Sequence, residues 1–513
     1  MKKLILFLLL YSNLIAGQQT TFNVQSDFGY PFIFLRSVLP TDSCYYVTGF
    51  ISDTTGGTNK LGNLFIKFDL NGDTLLTKKL VSNDKEYSSW LGDIIPTEDG
   101  GLLRIGQVYD SLERGLIVKF NTEGDTLQTK EYLSPFSDNE IFLPYVVVKM
   151  QNSNMAVLNA VEMSDLNNQM LLTFHDEQYS VELQKEYGGP MDEVPGSMIL
   201  DDDGGLIIGA NLANTNTNIQ NYVSLTYIFK VDSVGNLAWY YLSPIGQLQD
   251  KARSMVKTPD GGLVVASGKG IEHPINVDVG QLRWHGYIFK LNASHQFVWG
   301  REIRGIRHSG AAALIKVLAA PDGSGYVAYG RVLEDHSVGT EQLGSWMVKV
   351  SNQGDSLWAR YYTFFDGHDR SPDPADFKAT PDGGYIVVGN TGEGTLDFGW
   401  VMKLDSFGCL IPGCNANDGP NAATEEKAEI KLAIYPNPTT DFLNFELRTQ
   451  QQLQKASFRI YDSSGRLVKE FASASPKDTF IVPVWDWEAG VYFLQFIMDG
   501  EVRALEQFVV VKR

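Results

Sequence analysis

The chain is poor in cysteine, histidine and positive charge, and beyond its first residues it has no long apolar run. Its 513 residues hold three cysteines and seven histidines. So few cysteines exclude a disulfide-dense scaffold, which leaves packing to stabilise the fold. No HExxH or CxxC pair occurs, and no two histidines stand at helical ligand spacing, so no metal or cofactor is expected. Lys and Arg number 42 against 61 Asp and Glu, a formal net charge of −19. That balance excludes a nucleic-acid partner, which would demand a basic footprint, and otherwise serves solubility. There is no G-x-S-x-G nucleophile elbow. Carboxylates abound, but none forms a recognisable acid–base pair for glycoside hydrolysis, so no catalytic residue is assigned.

The N-terminus reads as a signal peptide over residues 1–17. Met1-Lys2-Lys3 precedes the apolar run Leu4 to Leu10, and the small residues Ala16-Gly17 follow. The run is too short to span a bilayer, and no cysteine at the junction marks a lipid anchor. No transmembrane segment remains after cleavage, so the mature chain is read as exported. In an oxidising compartment Cys409 and Cys414 are candidates for a disulfide, which leaves Cys44 over and buried.

What the chain has in quantity is repetition. Thr258-Pro259-Asp260-Gly261-Gly262 precedes the apolar run Leu263 to Gly268, then Tyr287-Ile288-Phe289-Lys290-Leu291-Asn292. Related turns stand at Asp99, Asp203, Asp322 and Asp382, and the matching lysines are Lys67, Lys119, Lys230, Lys290, Lys349 and Lys403. With a degenerate copy around Asn154 to Phe174, seven units emerge. Each contains four short strand patterns, and glycine-bearing turns between β-runs signal hairpins. Four strands per unit with no helical pattern between them predict an all-β fold, a seven-bladed β-propeller over residues 18–414. The last unit lacks a good fourth strand, and Thr21 to Gln25 is expected to supply it. Trp239, Trp299 and Trp358 recur at matching points and are read as packing residues between blades. Asp69-Leu70-Asn71-Gly72-Asp73 has some look of a calcium loop but lacks a closing glutamate, and is read as a hairpin turn.

Residues 415–430 are small, polar and aperiodic, as in a linker. Beyond them come Tyr435-Pro436-Asn437-Pro438-Thr439-Thr440-Asp441, then Ile460-Tyr461-Asp462-Ser463-Ser464-Gly465-Arg466, then Gly490-Val491-Tyr492, and a last β-branched run with a basic end. In this order the motifs resemble the type A C-terminal sorting domain of the type IX secretion system of Bacteroidota, over residues 431–513. The resemblance implies a partner, the type IX machinery, and a route through the periplasm to the outer-membrane surface or the medium. It also implies sorting roles for Tyr435, Pro436, Asn437, Pro438, Gly465, Arg466, Gly490 and Tyr492. Alternating apolar residues in this region suit a small antiparallel β-sandwich.

For the propeller, the longer connections on one face collect His273, His285, His308, His336 and His368, with Arg307, Arg370 and Trp284 nearby. Long loops on a rigid frame are where binding groups gather. The function expected is a binding or adhesion module for a glycan or a surface protein. An extracellular hydrolase using the same face, and a purely structural surface protein, are the alternatives.

Overall fold

The computed structural model describes residues 19–54, 60–88, 93–135, 141–151, 154–162, 168–189, 191–214, 223–244, 249–271, 283–303, 312–336, 340–362, 371–393, 396–410, 414, 431–435, 437–439, 442–448, 456–463, 466–472, 479–484, 486–498 and 501–512. The signal-peptide and linker assignments, residues 1–17 and 415–430, lie outside the described residues. The chain divides into two compact units, Met1–Ala422 and Ala423–Arg513. Every regular element among the described residues is a β-strand, and all named pairings are antiparallel.

The N-terminal unit contains seven consecutive sheets among the described residues. The fifth comprises Ser254–Lys257, Leu263–Ile271, Arg283–Leu291 and Phe297–Ile303, in that spatial order. The second is the exception, its first strand being split into Glu86–Ser88 and Ile94–Pro96. In the seventh, Ser371–Ala379, Tyr385–Glu393 and Leu396–Leu404 are followed by Phe22–Ser26 from the start of the chain. Phe22 pairs with Lys403, as Trp239, Trp299 and Trp358 pair with Lys230, Lys290 and Lys349. The N-terminal strand thus occupies the fourth position of the last sheet in the register of the tryptophans.

Burial follows from this order. In the first sheet the second strand, Tyr45–Asp53, is buried throughout, whereas the fourth, Thr74–Leu80, is largely exposed. A strand buried on both faces must be covered on both faces by other sheets. Seven apolar clusters do this, each spanning two consecutive sheets. Phe65 meets Phe120 between the first and second, Ile105 meets Phe142 next, and Leu172 meets Ile208 after that. Ile228 and Val265 join the fourth and fifth, Ile288 and Trp346 the fifth and sixth, and Tyr329 and Phe377 the sixth and seventh. The succession returns to its start, because Ile386 and Val401 of the seventh pack with Leu35 and Ile66 of the first. Each such side chain contributes roughly 1.5–3 kcal/mol, so these interfaces dominate the stability of the unit.

Tight turns close one end of every sheet. In the turn that follows each third strand a side-chain oxygen accepts the N–H groups two and four residues on. Asp69, Asn121, Asp176, Asp232, Asn292, Ser351 and Asp405 all do so. Asp69 is therefore engaged in its own turn. The residue before the last of these N–H groups has positive φ, and is glycine in five copies but Tyr179 and His295 in two. In the first, fifth, sixth and seventh sheets it meets the aromatic side chain in the tryptophan register of the preceding sheet, Phe22 facing Gly72 in the first. His295 stacks on Trp239 with centroids 3.6 Å apart. A Cβ on Gly354 would lie 2.6 Å from Trp299, and one on Gly408 would lie 3.0 Å from Trp358. The three tryptophans pack between sheets, as read from the sequence.

The C-terminal unit has two sheets. Lys431–Tyr435, Phe442–Arg448 and Thr479–Pro483 form one, and Ala456–Asp462, Leu467–Ala472, Gly490–Met498 and Glu501–Val510 the other. Leu443, Phe445 and Val482 of the first share a core with Phe458, Leu494 and Phe508 of the second.

Candidate functional site

The repeated lysines belong to the turn end. Lys290 contacts Asp260 at 2.7 Å, Lys349 contacts Asp322 at 2.8 Å and Lys403 contacts Asp382 at 2.9 Å, each within its own sheet. Lys119 with Asp99, and Lys230 with Asp203, repeat the pairing. In the third sheet Phe174 replaces the lysine. In the first sheet Lys67 pairs instead with Glu123 of the second, at 2.8 Å, so the lysine–aspartate pair clamps the first hairpin in five of the seven sheets.

At the opposite end, only part of the histidine group can be placed. His273, His308, His368, Arg307 and Arg370 lie outside the described residues, and so do the side chains of Trp284 and His336. The backbone nevertheless revises the setting. Trp284 and His285 belong to the strand Arg283–Leu291, and His336 ends the strand Gly325–His336, because pairing continues outward to His336 opposite Thr340. The His285 side chain is defined: Nδ1 lies 2.5 Å from Glu302 Oε1. The other carboxylate oxygen of Glu302 is 3.7 Å from Lys269, which also lies over the Tyr287 ring. A histidine, a carboxylate and a lysine thus share the loop end of the fifth sheet.

Two further groups escaped the sequence reading. Glu193 stands near the start of the fourth sheet's first strand and is 5% exposed. Burial pushes its carboxyl up to about 7, against a hydrogen bond from the Gly189 backbone and with the help of Asp192. Its near neighbour is Gln169 of the third sheet, whose Nε2 donates to Oε2 at 3.3 Å.

The second group joins the first strands of several sheets. Lys316 of the sixth sheet contacts Asp376 of the seventh, and lies 3.4 Å from Asp93 beside the second. Lys378 reaches Asp93 at 3.2 Å. Asp376 Oδ2 also accepts the Ser37 hydroxyl at 3.1 Å and the Val38 N–H at 3.0 Å, and Ser37 Oγ accepts the Ile94 N–H at 2.9 Å. Burial alone would lower the Lys316 ammonium, but the Asp376 and Asp93 carboxylates outweigh it and raise it above the ordinary lysine range. Burial would likewise raise Asp93, yet Lys316 and Lys378 hold it well below the usual carboxylate range. These groups are charged partners of one another, which suits cross-sheet bracing rather than proton transfer. Ser37, Asp93, Ser197, Ser254, Lys316 and Asp376 each stand just before a buried apolar residue of their first strands, an equivalence that only the fold reveals.

Among the described residues no group of three His, Cys, Asp or Glu side chains could hold a metal ion. Cys409 and Cys414 are joined by a disulfide with Cα atoms 5.7 Å apart, and Cys44 is free and buried. Among the described residues no helix is long and apolar enough to cross a membrane.

In the C-terminal unit, Asn437 Oδ1 accepts the Val509 N–H at 2.9 Å and its Nδ2 donates to Gln507 O at 3.2 Å. Pro438 is exposed beside it. Tyr492 is 6% exposed, its hydroxyl donating to Glu488 O at 2.8 Å. Arg466 is open to solvent, and Gly490 begins its strand. Pro436, Gly465 and the Tyr435 side chain lie outside the described residues.

Residues 433–511 match the family model of the secretion system C-terminal sorting domain. This segment is a type IX sorting domain, which interacts with that machinery and directs export to the cell surface or the extracellular space. No curated protein matches the chain in sequence. Among solved structures the chain is similar to the polysaccharide lyase Uly1, at 8% identity over 72% of this chain and 90% of that one, TM-score 0.44. It is similar to the β-propeller domain of the Trilobed protease from Pyrococcus furiosus, at 13% identity over 72% and 95%, TM-score 0.40. The GH93 α-L-arabinofuranosidase of Fusarium graminearum is another, at 12% identity over 61% and 92%, TM-score 0.38. At such identities and scores these likenesses carry no inference about activity.

Proposed function

We propose that the chain is an exported two-part protein in which residues 18–414 form a seven-bladed propeller of four-stranded blades. A linker over residues 415–430 joins it to a small β-sandwich, residues 431–513, that serves as its sorting domain. The cyclic succession of seven interfaces, with Phe22 in the tryptophan register of the last sheet, supports the closed ring. Closure covers the faces that a single blade leaves open.

The propeller serves as a binding module for a glycan or a protein at the cell surface. The observation that carries this reading is the unequal use of polar groups at its two ends. Turn-end lysines and aspartates are taken up by the hairpins, while His285, Glu302 and Lys269 gather at the loop end outside the repeat pattern. His273, His308, His336, His368, Arg307, Arg370 and Trp284 extend the same face in this reading. One observation favours a hydrolytic alternative: Glu193, raised to about 7, has the protonation range a general acid needs.

The export reading is tested by removing residues 431–513 and fractionating native-host cultures. Loss of the protein from the surface and medium is expected, and undiminished appearance there would overturn the reading. For the propeller, Glu193→Gln separates the two alternatives on a polysaccharide panel. Binding without turnover, unaffected by the substitution, is expected. Turnover that the substitution abolishes would establish the hydrolase instead.

A further inference from the structure

The sorting motifs divide by what their residues do in the fold. Asn437 ties the proline-rich segment to the last strand, and Tyr492 stacks on Phe508 and packs at a tilt against Trp487, with centroids 5.6 and 5.1 Å away. Arg466 is different. Its side chain is 80% exposed, and its Nε donates to Asp462 Oδ2 at 3.0 Å. Gly490 is different too. A Cβ built there would meet no atom within 4 Å, and its φ lies outside the left-handed region, so the fold itself does not demand glycine.

These residues, distant in sequence, line one cleft of about 370 Å³. Arg466, Gly490 and Tyr492 share it with Asp462, Asp486, Trp487 and Glu488. Asp462 is engaged by Arg466, whereas the exposed carboxylates of Asp486 and Glu488 have no ion-pair partner among the described residues. The cleft lining therefore combines aromatic rings, three carboxylates against one guanidinium, and a glycine whose place the fold leaves open. A cation resting on an indole and facing a carboxylate gains both cation–π attraction and a charge-assisted hydrogen bond.

We propose that this cleft is the docking point of the sorting domain, where a subunit of the export machinery seats a lysine or arginine side chain against Trp487, between Asp486 and Glu488. The proposal rests on the export reading above and names the part of the domain that is recognised.

The test uses the full chain in its native host. Asp486→Lys combined with Glu488→Lys reverses two exposed charges, and Gly490→Val adds bulk to the cleft at a position where a Cβ has no atom within 4 Å. Each is expected to lower the exported fraction at least tenfold, while the purified variants melt as the parent does. Export at the parent level by either folded variant would overturn the proposal. Should a variant fail to fold, a photo-crosslinker at the exposed Ser463 decides: a cross-link to a machinery subunit is expected, and one to a second copy of the chain would overturn it. Loss of export on deleting residues 431–513 with full export of the folded variants would sink the cleft alone. Full export after the deletion would sink the export reading as well.

Discussion

The two ends of the N-terminal sheets are made of the same strands but use their polar residues differently. At the turn end the same solution is written repeatedly. An Asp, Asn or Ser oxygen gathers two backbone N–H groups in each outer turn, and a lysine clamps an aspartate in most inner ones. At the loop end the described groups differ from sheet to sheet: the fifth carries His285 with Glu302, and the fourth carries a buried Glu193 beside Gln169 of the third. Repetition is what a fold needs from seven equivalent units, and departure from it is what a specific site needs. The contrast teaches that a residue recurring in every unit is a poor candidate for function, however chemically attractive its side chain.

The comparison can be strained where the sheets meet, at the ends, and between them. The largest effect is expected from Trp358→Ala. Its indole is 6% exposed and lies against Gly408 of the next sheet, so removal should cost about 3–5 kcal/mol in denaturant unfolding. A loss below about 1 kcal/mol would mean that the recurring aromatics are not the inter-sheet fasteners. Next comes Lys316→Met, which leaves Asp376, 3% exposed, short of a cation and should cost roughly 2–4 kcal/mol. Adding Asp376→Asn should recover part of that loss, and no recovery would remove the ion pair from the account.

A smaller, pH-dependent effect belongs to Glu193. Its folded carboxyl titrates near 7 against an ordinary 4.5, so the neutral form is the one the fold favours. The parent should hold its full stability below about pH 4.5 and lose some as the pH rises through 7. On the order of 1–3 kcal/mol is at stake across that window. Glu193→Gln should flatten the dependence, measured as melting temperature between pH 4.5 and 8. An unchanged slope would assign the titration elsewhere. Smallest of all, Lys290→Met should cost well under about 1 kcal/mol, because Asp260 is 58% exposed and water screens the pair.

Much of the fold was legible because the turns announce themselves. Asp260-Gly261-Gly262 and Asp232-Ser233-Val234-Gly235-Asn236 fix hairpins through local hydrogen bonds and positive φ, which depend on neighbours in sequence alone. The missing strand of the last sheet was legible for the same reason, since Phe22 stands where other units place tryptophan. The long two-stranded ribbon ending at His336 was not, because its outer pairs rest on the ladder already begun rather than on a turn signal. Glu193 and the Lys316 group were hidden for a different reason. Their character comes from groups on other sheets, Gln169 for the one and Asp93 with Asp376 for the other, and no spacing along the chain reports those approaches. In the sorting domain the motifs were visible, but the division between residues that brace the fold and residues that face outward required the exposure of Arg466 and the empty space at Gly490.

The most direct measurement is a thermal-shift screen of the exported protein against glycans and surface proteins, run on three forms. The parent is compared with a turn-end variant, Lys290→Met with Asp260→Asn, and with a loop-end variant, His285→Ala with Glu302→Gln. A ligand at about 100 times its dissociation constant stabilises its binding form by about 2.7 kcal/mol, a readily measured shift. The expected result is a ligand whose shift survives in the turn-end variant and disappears in the loop-end one. A shift that survives the loop-end changes and is lost with the turn-end pair would contradict the division of labour between the two ends.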